Sequence, residues 1–197
     1  NDLWQIDATQ VRLVSQKRVW VLDTIDDHSR YLLAAHAAQA PTTDAAWDCF
    51  ELAASRYGLP RQVLSDNGLC FTGKLHGVQV QFERSLAELG VELINAGPYH
   101  PQTLGKLERF HRTLKLWLAD EGPASDLGQL QELLDGFRHH YNRDRPHQGE
   151  DEQFRITEGS PVTNSRVAGH VHARQGPWVP ANFSARPAVS EGPKRAA

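Results

Sequence analysis

The sequence predicts an α/β protein in which a mixed five-stranded sheet is flanked by helices. Three strand-like segments follow one another within residues 3–36 and are separated only by short turns. From residue 41 onward, segments with a helical period of apolar residues alternate with short strand-like segments. Strands joined by short turns pair as an antiparallel meander, whereas strands separated by helices pair in parallel through right-handed crossovers. This order therefore places helices on the faces of one mixed sheet.

The first three strands are predicted from alternation and composition. They fall at residues 3–14, 18–25 and 30–36. In LWQIDATQVRLV, alternation places Asp7 on the face opposite to Trp4 and Ile6. The second segment, RVWVLDTI, is apolar on both faces, which is typical of a strand inside a sheet. The turn residues Asp26–Ser29 separate it from the third strand.

The later elements alternate between helix and strand. Helices are predicted at residues 45–57, 80–89 and 126–141, and strands at residues 62–65 and 91–95. Gly58 and Gly90 follow two of these helices, and glycine is typical of a helix C-terminus. A further helix is predicted to begin after Pro101, with the hydroxyl of Thr103 as its N-terminal cap.

The helix that follows Thr103 carries the most informative pattern. The segment from Gly97 to Leu118 reads GPYHPQTLGKLERFHRTLKLWL. Its apolar residues recur with a helical period and predict a stripe that packs on the core: Leu104, Leu107, Phe110, Leu114, Trp117 and Leu118. An adjoining face gathers Glu108, His111, Arg112 and Lys115. The ordinary interpretation of that face is a solvated surface with ion pairs, for example between Glu108 and Arg112.

Composition and charge exclude several classes of protein. Of the 197 residues, 40% are hydrophobic and 23% are charged, which is ordinary for a globular domain. The formal net charge of -3 provides no global basic field, so any contact with nucleic acid must come from local patches. No apolar run approaches the roughly 20 residues of a membrane helix, and we expect no membrane partner.

Cysteine and methionine usage bear on the origin of the chain. The two cysteines, Cys49 and Cys70, form neither a disulfide framework nor a metal-binding pair, which favours a reduced cytoplasmic compartment. The sequence contains no methionine, so we expect it to be a fragment with a segment missing upstream.

Three acids lie where the predicted topology brings side chains together. Asp7 is inside an apolar strand with no Lys or Arg beside it in sequence, Asp66 ends the fourth strand, and Glu108 is on the patterned helix. A carboxylate in an apolar strand is costly unless it is paired or bound to metal, and carboxylates suit hard cations such as Mg²⁺. Each acid also has a structural interpretation: a capped bulge for Asp7, a plain turn for Asp66, and an ion pair for Glu108. No serine-hydrolase, P-loop or dinucleotide-binding motif is present.

Five motifs together carry a family resemblance: WQIDAT (4–9), IDDHSRYLLA (25–34), LSDNG (64–68), HPQTLGKLERFHRTLK (100–115) and YNRDRPH (141–147). They resemble the integrase catalytic core of bacterial insertion-sequence transposases, which is similar to the retroviral integrase core. The resemblance implies an RNase H-like fold and a catalytic triad of Asp7, Asp66 and Glu108. These three residues would hold two Mg²⁺ or Mn²⁺ ions for phosphoryl transfer.

The resemblance also implies partners and contact residues. The DNA contacts would come from Gln102, Lys106, Arg109, His111, Arg112 and Lys115. The partners would be the ends of a mobile element and its target DNA, bound by a homo-oligomer in the bacterial cytoplasm at the nucleoid. The reaction would be end cleavage followed by strand transfer of the freed 3′-hydroxyl.

The domain boundaries follow from where the motifs begin and end. We expect residues 1–148 to form the core, and residues 149–197 to be an extended linker or the edge of a truncated domain. An upstream helix-turn-helix domain would be missing. The interval between Asp66 and Glu108 holds 41 residues, longer than is usual in the family, and the excess is placed near Lys74–Gln81. Asp26 and Asp27 fit either a hairpin turn or a metal site.

Two alternatives stay open. The first is a nuclease of the same fold, which would cut nucleic acid without ever joining ends. The second is an inactive remnant used for DNA binding or assembly, which would have no reason to keep all three acids.

Overall fold

The computed structural model describes residues 1–95 and 101–144, and for residues 101–106 and Asp144 it describes the backbone alone. The strands are β1 (Leu3–Arg12), β2 (Arg18–Asp26), β3 (Leu32–Ala38), β4 (Gln62–Ser65) and β5 (Glu92–Asn95). The helices are α1 (Thr43–Tyr57), α2 (Gln81–Glu88), α3 (Pro101–Glu121) and α4 (Leu127–Asp144), with a single 3₁₀ turn at Lys74–His76. The predicted tail at residues 149–197 lies outside the described residues.

The five strands form one mixed sheet in the order β3-β2-β1-β4-β5. β1 pairs antiparallel with β2, and β2 with β3, while β1–β4 and β4–β5 are parallel. The predicted meander, the parallel crossovers and the interior position of β2 are therefore confirmed. The physical reason is connection length, since only the strands separated by helices can run in the same direction.

Alternation along β1 divides the core into two layers. Trp4 and Ile6 pack with the α1 and α2 side, whereas Leu13 packs with the α3 and α4 side. Asp7 has the same parity as Leu13, so its side chain faces α3 and α4. The strand thus directs Asp7 toward the helix that carries Glu108.

Several predicted element boundaries differ from the structure by one to three residues, and two of these differences have a clear physical reason. Helix α3 begins at Pro101, so Thr103 lies within its first turn and is not the N-cap. Proline suits this position because its fixed φ is helical and its missing N–H has no partner in the first turn. Strand β3 begins at Leu32, because Arg30 adopts a φ of 63° in the preceding turn and cannot continue a strand.

Helix α4 covers the outer edge of β3, which is an edge strand of the sheet. The Asn142 amide accepts from the backbone N–H of Leu32 at 2.8 Å and donates to its carbonyl at 2.9 Å. Gln131 accepts from the N–H of Ala37 and donates to the carbonyl of Ala35, both at 2.9 Å. These amides satisfy backbone groups that would otherwise be open to pairing with another chain.

Two negative expectations concern membranes and disulfides. Within residues 1–95 and 101–144, no helix is both long and apolar enough to cross a membrane. Cys49 and Cys70 are free and buried.

Candidate active site

Asp7 lies in the central strand with a side chain that is 20% exposed. Its Oδ1 accepts from the backbone N–H of Ala8 at 2.7 Å. β1 pairs with β2 through this position without a register shift, so the bulge interpretation of Asp7 is wrong. Burial, and then the charges of Asp23 and Asp66, raise the pKa of Asp7 to about 6, although the Ala8 N–H and His111 act in the opposite direction. A carboxylate in this setting is stabilised by a nearby cation.

Asp66 directly follows β4, the parallel neighbour of β1. Ile6 pairs with Ser65, so Asp7 and Asp66 are the next residues of two adjacent parallel strands. The Oδ1 of Asp66 accepts from the N–H of Gly68 at 2.8 Å, which is the turn that the structural interpretation expects. A Cβ at residue 68 would lie 2.9 Å from that oxygen, so a larger residue there would require the Asp66 carboxylate to shift. The side chain of Asp66 stays exposed beside Asp7.

Glu108 lies on the exposed face of α3. It lines an open groove of about 490 Å³ together with His111, Arg112, Lys115 and Leu116. In the part of the chain that the structure describes, Glu108 and Arg112 form no ion pair, so that interpretation of Glu108 is not supported.

The predicted DNA-contact residues divide into three groups. His111, Arg112 and Lys115 line the groove with Glu108. Arg109 is exposed on the same helix but does not line the groove. The side chains of Gln102 and Lys106 lie outside the described residues.

Asp7 has a basic partner that its neighbours in sequence do not reveal. Helix α3 places the Nδ1 of His111 at 3.9 Å from the Oδ2 of Asp7, and the His111 side chain is 14% exposed. His111 also lines the groove that contains Glu108, so one imidazole adjoins both acids. Asp7 therefore has a histidine beside it in the folded protein, although no Lys or Arg adjoins it in sequence.

The three predicted acids do not form one compact cluster. Among the described residues, no three His, Cys, Asp or Glu side chains are grouped so that they could hold a metal ion. The structure does bring Asp66 close enough to Asp7 for the charge of Asp66 to raise the pKa of Asp7. Two carboxylates with oxygen donors fit a hard divalent cation, and neither makes an ion pair with a described Lys or Arg.

Asp23 is a functional candidate that sequence reasoning missed. It lies in β2 directly opposite Asp7, and its side chain is fully buried. Its Oδ1 is 2.7 Å from the Nε2 of His111, while its Oδ2 has no hydrogen-bond partner among the described residues. The segment RVWVLDTI is apolar on both faces and predicts an interior strand, yet it contains Asp23, an acid inside that apolar strand. That is the criterion that identified Asp7.

The Asp23–His111 contact alters the acidity of both residues. Burial raises the pKa of Asp23, although the charge of His111 and its hydrogen bond act to lower it. Burial alone would lower the pKa of His111, but the charge and hydrogen bond of Asp23, together with the charge of Asp7, raise it above its ordinary value. The pair is thus a buried acid and base that stabilise each other's charged forms.

Asp26 and Asp27 hold the β2–β3 hairpin. The Oδ1 of Asp26 accepts from the N–H of Ser29 at 2.8 Å and from its hydroxyl at 2.9 Å. Asp27 forms an ion pair with Arg30 at 3.3 Å and accepts from the amide of Gln5. These contacts favour the hairpin interpretation of the two residues over the metal site.

The chain is similar in sequence to known protein families and to individual proteins. Two models of the integrase core domain match the chain, one over residues 1–101 and the other over residues 89–153. The Pol-related polyprotein of the mouse intracisternal A-particle MIA14 is 31% identical over 132 residues, which are 67% of this chain and 14% of that protein. The uncharacterized 39.2 kDa protein of insertion element IS476 from Xanthomonas euvesicatoria is 26% identical over 147 residues, 75% of this chain and 41% of that protein. The chain thus spans less than half the length of these relatives.

Solved structures show the same architecture. The HTLV-2 integrase catalytic core domain, in complex with magnesium in a dimeric form, matches with a TM-score of 0.60 at 18% identity. The match covers 76% of this chain and 92% of that one. The catalytic core domain of BIV integrase matches with a TM-score of 0.56 at 24% identity, covering 75% of this chain and 87% of that one. At these identities the likeness shows the fold, and it confirms the predicted RNase H-like architecture.

Proposed function

Because the chain belongs to the integrase core domain family, we propose that it is the catalytic core of a DNA transposase or integrase. The proposed enzyme is a metal-dependent polynucleotidyl transferase that cuts DNA at the ends of a mobile element. It then joins the freed 3′-hydroxyl to target DNA. The observation that carries the proposal is the pair of acids formed by Asp7 on β1 and Asp66 directly after the parallel neighbour β4.

The position and the electrostatics of Asp7 and Asp66 support a cation site at this pair. Asp7 and Asp66 are the next residues after the last paired positions of β1 and β4, Ile6 and Ser65. Ligand groups in open α/β sheets gather beyond the carboxyl ends of such paired strands. The pKa of Asp7, raised to about 6 by burial and by neighbouring acids, indicates a site with surplus negative charge. Such a site favours a cation over a further anion.

Asp7 and Asp66 would hold the cations, and Glu108, from the groove on α3, would complete the set. Two bound Mg²⁺ or Mn²⁺ ions would supply Lewis-acid stabilisation for the displacement at phosphorus. The carboxylates contribute fixed negative charge and orientation. His111 contributes a basic group at 3.9 Å from Asp7.

The groove on α3 is proposed to bind the DNA backbone. Arg112 and Lys115 are exposed and line it, and Arg109 is exposed nearby on the same helix. Local cations supply phosphate contacts even when the whole chain is slightly acidic, as it is here with a net charge of -3. Gln102 and Lys106 remain proposed contacts from the sequence motif.

The remaining predictions stay proposals. Residues 1–148 would be the core, with residues 149–197 as a linker or part of a further domain. The partners would be element ends, target DNA and further copies of the chain, in the bacterial cytoplasm at the nucleoid. The HTLV-2 core domain has been solved in dimeric and trimeric forms, which supports an oligomer by analogy.

The test uses a Y-shaped DNA duplex that mimics a strand-transfer product, with Mn²⁺ as the metal. Strand transfer is reversible, so a core that joins ends should also resolve this branched DNA. We expect activity in the wild type and loss of most of it in Asp7→Asn, Asp66→Asn and Glu108→Gln, with combined changes adding little. Glu121→Gln, which changes another exposed acid of α3, is the matched control and should keep wild-type activity.

The outcomes separate the alternatives. Cutting without any joining would favour the nuclease. Specific DNA binding with no metal-dependent reaction would favour the inactive remnant. Full activity in Glu108→Gln would remove Glu108 from the site while leaving the Asp7–Asp66 pair in place.

A further inference from the structure

The buried contact between Asp23 and His111 is the feature that the three-acid site leaves unexplained. Asp23 is fully buried in β2, and a buried carboxylate is costly even when it is paired. One oxygen lies 2.7 Å from the Nε2 of His111, and the other has no partner among the described residues. Replacing such a pair with apolar residues is often neutral or stabilising, so stability alone does not account for it.

The location of the pair links the two strands to the helix. Asp7 and Asp23 are directly opposed across β1 and β2, and opposed residues point to the same face of a sheet. His111 of α3 lies on that face, with Nε2 at 2.7 Å from Asp23 and Nδ1 at 3.9 Å from Asp7. One imidazole therefore lies between a buried acid and a proposed metal ligand.

The same contact constrains Glu108. Residues three apart on a helix are neighbours on its surface, so fixing His111 also fixes the direction in which Glu108 points. The apolar residues Leu107, Phe110 and Leu114 hold α3 on the sheet. Apolar packing is non-directional, however, whereas a hydrogen bond to a carboxylate specifies one orientation. The Asp23–His111 bond is a directed contact that sets how α3 lies over β1.

We infer that Asp23 and His111 are positioning residues of the proposed transferase. Asp23 binds the imidazole of His111, and His111 lies 3.9 Å from Asp7, so the pair sets how α3, which carries Glu108, lies over Asp7. This inference rests on the proposed function. Asp23 would not bind the metal itself. It would orient a neighbour of the metal ligands through a hydrogen bond, as hydrogen-bond partners do around metal sites.

The decisive variant replaces the polar pair with an apolar one. In Asp23→Leu/His111→Leu both partners of the 2.7 Å contact are removed, so neither leaves the other as an unpaired buried charge, and the protein should fold. We expect its affinity for Mn²⁺, measured by calorimetry without DNA, to fall by about 10- to 100-fold. The rate of branched-DNA resolution at saturating DNA should fall by a similar factor.

Conservative variants provide the rescue. His111→Gln keeps an N–H donor for Asp23, and Asp23→Asn keeps an acceptor for His111. Each should retain more Mn²⁺ affinity and more activity than the doubly apolar variant. Leu86→Ala, in the core on the opposite face of the sheet, lowers stability without touching the pair. It controls for destabilisation and should keep wild-type Mn²⁺ affinity at temperatures where it is folded.

The results distinguish failure of this inference from failure of the proposed function. A wild type that neither binds Mn²⁺ nor processes DNA overturns the proposed function, and this inference falls with it. A wild type that does both, together with a doubly apolar variant of unchanged affinity and rate, overturns only the positioning role. In that case Asp23 and His111 are a structural pair.

Discussion

At the scale of single residues, Asp7 lies beside other charged groups of the proposed site. Its carboxylate lies in the central strand, opposite the buried Asp23 and beside Asp66 at the end of β4. Burial and these two acids destabilise its charged form, while the Ala8 N–H and His111 partly compensate. The residue is held in an unfavourable state that a bound cation would relieve.

We predict that removing the charge of Asp7 stabilises the metal-free protein above about pH 6. The pKa of Asp7 is raised from an ordinary 3.8 to about 6 in the folded state. The folded protein therefore binds this proton more tightly than the unfolded chain does, so stability falls as pH rises between these values. Above the folded-state pKa of about 6, the full destabilisation by the ionised Asp7 is present. Asp7→Asn should raise the free energy of unfolding by on the order of 2 kcal/mol near pH 7.5.

The measurement is urea denaturation with a chelator at two pH values. Near pH 4 the gain from Asp7→Asn should shrink, because wild-type Asp7 is then itself largely protonated in the folded state. Asp120→Asn, which neutralises an exposed acid of α3, is the control and should change stability little at either pH. An Asp7→Asn variant that is less stable than wild type near pH 7.5 would contradict this account.

At the scale of elements, one face of helix α3 packs on the sheet and another face lines the groove that is proposed to bind DNA. Leu107, Phe110 and Leu114 are buried against the sheet, while Arg112 and Lys115 stay exposed in the groove. Changes to the exposed face should therefore alter binding without altering packing. Helix α4 has a different task, since Asn142 and Gln131 close the edge of β3.

We predict that Arg112→Ala and Lys115→Ala weaken DNA binding and flatten its dependence on salt. Each phosphate contact that is lost should reduce the log–log slope by roughly one unit, because fewer counterions are released. Fluorescence anisotropy of a labelled duplex across a salt series measures the slope. Arg84→Ala removes an exposed cation from α2, on the other face of the sheet, and should leave the slope unchanged. An unaltered slope in both α3 variants would place the DNA on another surface.

At the scale of the whole molecule, the sheet separates two cores and leaves Asp7 on the α3 side. Asp7 belongs to β1, and Asp66 follows β4, so a cation held by both would join two strands of the sheet. A ligand that binds only the folded state stabilises the whole fold by mass action. Metal binding should therefore raise the free energy of unfolding of the whole domain.

We predict that Mn²⁺ raises the thermal midpoint of the wild type. At a free concentration a hundredfold above its Kd, the gain is about 2.7 kcal/mol for one site. Asp66→Asn should lose most of the effect, because it removes one ligand from an exposed position without disturbing the core. Asp44→Asn, at an exposed position in α1, should keep the full response. Scanning calorimetry with and without Mn²⁺ decides the matter, and an unmoved wild-type midpoint would contradict a preformed site.

Sequence periodicity determined the architecture of this protein. The meander, the parallel crossovers and the core stripe of α3 follow from local patterns of apolar residues, because side-chain direction repeats every two residues in a strand and every 3.6 in a helix. The same patterns indicated Asp7 as an acid within an apolar strand. They placed Asp66 at a strand end and Glu108 on a helix face, although the metal-binding role of the three acids remains a prediction.

Only the tertiary structure decided which side chains meet. Asp23 and Asp7 are 16 positions apart in sequence and His111 is 88 positions from Asp23, yet all three lie together on one face of the sheet. The role of Asn142 at the β3 edge is equally invisible in the sequence, because it depends on the position of α4. Local patterns fix the direction of a side chain within its own element. The partner of a buried polar group is fixed by packing between elements, which no single segment encodes.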